Sequence, residues 1–246
     1  MNSLDTPQTA NQLRRPLLML LAPLMLAVLS CAFLTELEAP TPTAEPVVED
    51  AVKFLVPLYT TSLAPGESVP GTQMTFVSRQ GDTYNVTIDG LAAAKRVGDS
   101  FAWRGVIAPG VVADFNLRIS PTFRGDSLLA GGPVEISVLN PAPVELPPTA
   151  VPVDVRLHFS KIAVENSVAI GERIPGTTLI FAGRTEQGAE LTGTSGYPYR
   201  ALGDSLIWTG RLRGDVVVRY SLRVAGLDED HLRVLGTAEL WITSGS

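Results

Sequence analysis

The chain is poor in the side chains that catalysis and metal binding draw on. Its 246 residues hold one cysteine, Cys31, and two histidines, His158 and His231. A lone cysteine excludes an intramolecular disulfide framework, and two isolated histidines cannot assemble a His-based metal cluster. Positive charge is also scarce: Lys and Arg total 19 against 25 for Asp and Glu, a net charge of −6. That balance leaves no basic footprint for nucleic acid, and we expect no nucleic-acid partner. Beyond the N-terminal apolar run, no stretch keeps a sustained helical period with caps, which excludes helical bundles and alternating strand–helix folds. Glycine-rich phosphate loops are missing too, and no cofactor is expected.

What the chain does contain is a repeat. Gly98-Asp99-Ser100-Phe101-Ala102-Trp103-Arg104-Gly105 returns 105 residues later as Gly203-Asp204-Ser205-Leu206-Ile207-Trp208-Thr209-Gly210. The same offset pairs Gly66, Glu67, Pro70, Gly71, Thr72, Phe76 and Arg79 with Gly171, Glu172, Pro175, Gly176, Thr177, Phe181 and Arg184. After a one-residue slip, Gly132 and Glu135 meet Gly236 and Glu239. The match therefore covers a whole module.

Within each copy the apolar residues alternate with period two. Val216, Val218, Tyr220, Leu222 and Val224 share one face of a strand, and Ala113, Phe115, Leu117 and Ile119 do so in the first copy,. Further strands are expected near 51–59, 72–79, 83–89, 100–108 and 133–139, and near 153–163, 177–184, 188–193, 204–212 and 231–243, with turn residues between them,. The fold class is all-β: two tandem antiparallel β-sandwich modules of immunoglobulin-like type after an N-terminal signal or anchor helix. The Trp-x-Gly-x-Leu phrase with its following strand resembles the last strands of immunoglobulin-like repeats in bacterial surface proteins. In the doubled phrase, Gly98-Asp99 and Gly203-Asp204 close a turn. Trp103 and Trp208 then point into the core, and Gly105 and Gly210 leave room for the indoles.

Arg14 and Arg15 precede the apolar run Leu17–Leu29, the pattern of an export signal,. The run ends in Val28-Leu29-Ser30-Cys31, which resembles the lipobox of bacterial lipoproteins; that resemblance implies lipidation at Cys31. An uncleaved helix over Leu17–Leu34 and an ordinary cleaved signal are the other readings. The first two place the remainder on the outer face of a cell membrane. Pro16 and the lack of a preceding Ser or Thr count against twin-arginine export,. The segments read as 1–31 signal or anchor, 32–50 acidic proline-rich linker, 51–140 first repeat, 141–152 proline-rich linker and 153–246 second repeat. The first linker is expected to be extended and the second semi-rigid.

Several short motifs invite chemistry. Gly203-Asp204-Ser205-Leu206 with Asp228-Glu229-Asp230-His231 spells the signature of GDSL-type esterases, but the first copy has Gly98-Asp99-Ser100 and no histidine. A catalytic serine needs an oriented histidine beside it, so a turn is the better reading and an enzyme is not expected. Arg124-Gly125-Asp126 and Arg213-Gly214-Asp215 match the integrin-binding tripeptide, and also what a hairpin asks for,. Asp228, Glu229 and Asp230 lack calcium-loop spacing. Tyr197-Pro198-Tyr199 is an aromatic cluster in a loop, able to stack on sugars or another chain,. The function expected is display of two modules for structural or interaction roles at the cell envelope, with an envelope or extracellular protein or glycan as partner. The alternative is a lipoprotein binding a carbohydrate or small molecule.

Overall fold

Period-two alternation becomes strand because each strand buries one face against a second layer. The computed structural model describes residues 50–122, 125–152, 155 and 157–243. The signal or anchor segment, Cys31 and nearly all of the first linker lie outside the described residues.

The first copy contributes β1 (Ala51–Leu63), β2 (Met74–Gln80), β3 (Thr83–Ile88), β4 (Leu91–Lys95), β5 (Ser100–Ala108), β6 (Val111–Ser120) and β7 (Leu128–Leu139). They form two antiparallel sheets, β1-β7-β6-β5 and β2-β3-β4. Phe54, Phe101, Trp103, Phe115, Val134 and Ile136 from the first sheet and Met74, Phe76, Tyr84 and Val86 from the second are buried together in one core. The second copy follows β8 (Val144–Glu145) with β9 (Leu157–Ala169), β10 (Ile180–Thr185), β11 (Gly188–Thr192), β12 (Tyr199–Arg200), β13 (Ser205–Arg213), β14 (Val216–Leu227) and β15 (His231–Ile242). Its sheets are β8-β13-β14-β15-β9 and β10-β11-β12. The described residues are all-β, as the alternation requires, and each module is a two-layer antiparallel sandwich made of two meanders with the first strand returned to the edge beside the last.

The elements that differ from expectation have local causes. β7 begins at Leu128 rather than near 133, running through Gly131-Gly132-Pro133. These glycines read as a break, yet a Cβ on Gly132 would collide with the Asn116 carbonyl, and one on Gly236 with that of Ser221. Close approach of the neighbouring strand is what requires glycine there. β1 carries a bulge at Pro57-Leu58, since Val56 faces Val134 while Tyr59 faces Gly132; proline without an N–H is tolerated at such an edge irregularity. β4, β8 and β12 are short strands with no alternation to announce them.

The linker between the copies is part of the second sandwich. Val144 and Glu145 pair with Arg211 and Gly210 on β13. Ala142 N donates to Leu212 O at 2.7 Å, and Leu146 N to Thr209 O at 2.9 Å. The Glu145 carboxylate accepts from Ser195 N and Oγ at 3.2 and 3.0 Å. The linker thereby closes an edge that would otherwise present unpaired backbone groups.

Val48–Ser246 forms one compact unit in which both copies share a continuous core. The contacts that join them are reciprocal. Gly71 lies against Leu157, and Gly176 lies against Val52 and Tyr220; both pairs, Gly71/Gly176 and Val52/Leu157, are 105 residues apart. Phe54 meets Tyr220 with ring centroids 6.3 Å apart, and Tyr59 bridges Phe115 and Phe159 at 5.6 and 5.8 Å. When residue i touches j and the equivalent of j touches the equivalent of i, the interface has the pattern of a two-fold axis. The copies pack as a symmetric dimer would. One one-sided bond is added: Arg213 Nη1 donates to Leu139 O at 2.5 Å, across the junction.

Burial pushes the Tyr220 phenol far above its ordinary range, and desolvation likewise raises Tyr59. Because the folded state holds the phenolic proton more tightly than the unfolded chain, stability is full below pH ~10 and falls above it, by up to about 1.4 kcal/mol per pH unit for each such group. Urea unfolding followed from pH 8 to 11 should show this loss, with Tyr220→Phe reducing its slope. Gly210→Ala should destabilise by about 1–3 kcal/mol, since its methyl would overlap the Trp208 ring,.

Candidate functional site

The doubled Gly-Asp-Ser phrase is a turn built identically twice. Gly98 and Gly203 both have φ of 89°, where glycine carries no steric penalty. The Asp99 carboxylate accepts from Arg96 N, and that of Asp204 from Ala201 N, each at 2.8 Å. Ile119 N donates to Asp99 O and Val224 N to Asp204 O, each at 3.0 Å. Arg118 and Arg223 then reach back to the Gly98 and Gly203 carbonyls. The indoles of Trp103 and Trp208 are buried and lie over Gly105 and Gly210, where a Cβ would overlap the ring. Their N–H groups differ: Trp103 Nε1 donates to Asp89 Oδ1 at 2.7 Å, Trp208 Nε1 to Thr178 Oγ1 at 3.0 Å. These residues position the sandwiches.

Ser205 and His231 are not brought together. Ser205 pairs with Arg223, which pairs with Leu235, and His231 stands four residues back along β15. Two strand spacings and four residue rises separate them by roughly 16 Å, far beyond hydrogen-bond reach. Arg213 of the second tripeptide is held on the Leu139 carbonyl, so its guanidinium is committed inside the molecule. Arg124 of the first tripeptide lies outside the described residues, and Asp126 beside it is exposed. Among the described residues no group of three or more His, Cys, Asp or Glu side chains could hold a metal ion. Asp228-Glu229-Asp230 forms the β14–β15 turn, closed by Asp228 N donating to His231 O at 2.9 Å.

Tyr197 and Tyr199 do form a cluster. β12 pairs with β11 through Ala189↔Arg200 and Glu190↔Tyr199, which holds the loop on the edge of the second module. The two rings meet edge-on, 5.6 Å apart at 68°. Arg200 Nη1 donates to the carbonyls of Tyr197 and Tyr199 at 2.5 and 2.7 Å, and its guanidinium lies 6.0 Å from the Tyr197 ring centre. Tyr197 OH reaches Gln187 Oε1 at 3.5 Å. Tyr197 remains 64% exposed. The result is an outward aromatic surface stiffened from behind by an arginine, suited to stacking on a planar or apolar face. At the equivalent place in the first copy, Ala94 pairs with Asn85 and Lys95 with Tyr84, so Ala92-Ala93-Ala94 stand where Tyr197-Pro198-Tyr199 stand. The aromatic surface belongs to one copy only.

A second surface was not apparent from sequence. His158 stacks on Trp241 with ring centroids 5.0 Å apart and an interplanar angle of 8°, and its Nε2 lies 3.4 Å from Glu239. The signal lay in the slipped part of the repeat, where Ser137 is the counterpart of Trp241. The junction between the copies offers little space: the cleft lined by Val52, Phe54, Val164, Pro175 and Tyr220 encloses about 110 Å³, below the roughly 300–1,000 Å³ of ligand pockets.

These features define a paired β-sandwich protein with an aromatic surface on one module. No family model, no curated protein and no solved structure matches the chain. Because the Tyr197 ring is exposed, Tyr197→Ala should leave stability within about 0.5 kcal/mol. Asp204→Ala, which removes a turn-closing acceptor, should cost about 0.5–2 kcal/mol in the same chemical unfolding measurement.

Proposed function

We propose that the chain is a membrane-anchored, outward-facing protein that presents its two joined sandwiches to a protein or glycan of the cell envelope or its surroundings. The observation that carries this reading is the contrast between the copies. They share the residues that fold them, including both Asp-closed turns and both Trp-Gly pairs, and differ in what one edge exposes, Tyr197-Pro198-Tyr199 against Ala92-Ala93-Ala94. A kept scaffold with one altered surface is how recognition is grafted onto a stable fold. The export-signal pattern of Arg14, Arg15 and Leu17–Leu29, with Cys31 in lipobox position, supports the outward placement, with the lipid or the uncleaved helix as anchor.

Carbohydrate binding by a lipoprotein is the second reading. The exposed Tyr197 ring backed by Arg200 supports it, because sugars stack on aromatic faces; the small junction cleft disfavours a buried small molecule,.

Two measurements test the proposal. Mass spectrometry of the mature N-terminus should find a diacylglyceryl-modified Cys31 or an intact N-terminal helix; a protein released by ordinary cleavage would refute anchoring. Pull-downs and glycan arrays with the full chain should retain a partner that Tyr197→Ala plus Tyr199→Ala releases by at least about tenfold in affinity, the loss of ~1.4 kcal/mol. Retention unchanged by that pair would remove the aromatic surface from the reading.

A further inference from the structure

The junction between the copies is two-fold in its contacts but not in its filling. On one side the ring of Tyr59 lies between the copies, 5.6 Å from Phe115 and 5.8 Å from Phe159. The repeat counterparts of Tyr59, Phe115 and Phe159 are Val164, Tyr220 and Phe54. Strand register supports the first match, because Tyr59 pairs with Gly132 and Val164 with Gly236, the two glycines that the slipped repeat aligns. The second side thus keeps both flanking aromatics. A valine stands between them where the first side has a phenol.

The cleft at the junction follows from that difference. Val52, Phe54, Val164, Pro175 and Tyr220 wall it, and it encloses about 110 Å³. This is too small for an oligosaccharide or a drug-sized molecule, yet close to the roughly 150 Å³ of an apolar cavity that takes benzene. One ring is what it admits. The charged groups at its rim are engaged elsewhere: Lys53 Nζ lies 3.4 Å from Glu135, and Glu165 accepts from Arg233 at 2.7 and 3.1 Å. Asn166 adds a polar group beside the apolar walls. On the filled side the Tyr59 hydroxyl has a side-chain hydrogen bond with Thr61, and Asn166 is the counterpart of Thr61. One side of the junction therefore displays the occupant that the other side fits: a phenol ring against two aromatic rings, its hydroxyl beside a polar side chain.

We propose that this cleft binds a single phenol ring, packed on Phe54 and Tyr220, with its hydroxyl on the Asn166 amide, which both donates and accepts. Burial takes the ring out of water, and aromatic contact adds to the area term. The ring arrives as a small free phenol or as the tyrosine side chain of a partner segment, and the recognition is the same. Val52 and Phe54 come from the first copy and Val164, Pro175 and Tyr220 from the second, so an occupant ties the copies together and raises the stability of the joined form. The cleft is separate from the Tyr197 surface and from the anchor. It goes beyond the function proposed above and fails or holds independently of it.

The test uses the full chain and 4-methylphenol, the tyrosine side chain as a free molecule. Titration followed by NMR should move the methyl signals of Val52 and Val164 and give NOEs from the ring protons to both. Val164→Tyr supplies the ring covalently, so it should weaken binding at least about tenfold while melting no lower than the unaltered chain. Val164→Phe should block in the same way and stands in if the tyrosine variant does not fold. The unaltered chain should prefer 4-methylphenol to toluene several-fold, and Asn166→Leu should erase that preference. N-acetyltyrosinamide separates the two sources: binding at the same methyls means that a partner's tyrosine reaches the cleft, and its failure where 4-methylphenol binds restricts the site to free phenols. Unmoved Val52 and Val164 methyls would overturn the inference. So would undiminished binding by a folded Val164→Tyr or Val164→Phe, or toluene binding as tightly as the phenol.

Discussion

An indole laid across a glycine on its own strand sets the spacing of both sandwiches. Trp208 is on β13, and its N–H reaches Thr178, just before β10 of the opposite sheet; Trp103 on β5 reaches Asp89, beyond β3 of its own facing sheet. Each indole therefore fills the interlayer space and is also bonded across it. The glycine two residues along is required because the ring occupies the volume its side chain would take. A buried tryptophan contributes about 3–5 kcal/mol relative to alanine, and a buried N–H left without acceptor would cost about 1–3 kcal/mol. The turn before the strand, pinned by Asp99 or Asp204, fixes where the indole enters. Turn, ring and glycine form one device, and this explains why they were duplicated as one phrase.

The two copies solved the acceptor problem differently, and this is informative about what was free to change. Asp89 accepts the first indole from a left-handed position with φ of 51°, in the β3–β4 turn. In the second copy the counterpart of Asp89 is Thr194 and the hydrogen bond moves to Thr178. The β11–β12 loop now holds the tryptophan only through Thr178, whose Oγ1 donates to Gly193 O at 2.7 Å. It is the loop that carries Tyr197 and Tyr199, and its geometry is fixed further by Arg200 and, through Ser195, by Glu145 of β8. Transfer of the direct indole bond to Thr178 and gain of an exposed aromatic pair thus coincide at one loop.

Most of the fold was legible because it rests on two-residue periodicity and turn chemistry. β5 and β6 fall where Gly98-Asp99 and the alternation of Val111–Ile119 place them, and Trp103, Trp208, Gly105 and Gly210 hold the roles their spacing indicates. What escaped was fixed by long-range contact. β8 is a strand only because β13 offers it an edge; nothing in Pro143-Val144-Glu145 itself demands pairing. Gly131-Gly132 reads locally as a break and is strand because β6 passes too close for a side chain. Of the site, the tyrosines were visible as residues, whereas their stiffening by Arg200 and the Trp241–His158 stack depend on which strands become neighbours.

The junction gives the duplication a physical rationale. A homodimer with the same contacts would have identical residues on both sides of its axis, and it would dissociate on dilution. Joining the copies removes both constraints. Val52 and Leu157 occupy equivalent places with side chains of different size, and Phe115 and Tyr220 differ by a hydroxyl that lies against Gly176. Arg213 adds a bond to Leu139 for which the other side has no counterpart, since the residue equivalent to Arg213 is Ala108. Covalent linkage holds the interface at any concentration, so its symmetric contacts suffice while the outward surfaces diverge. The aromatic edge on one copy alone is a feature a symmetric dimer could not have had, and it depends on the shared core that keeps the two halves in one body.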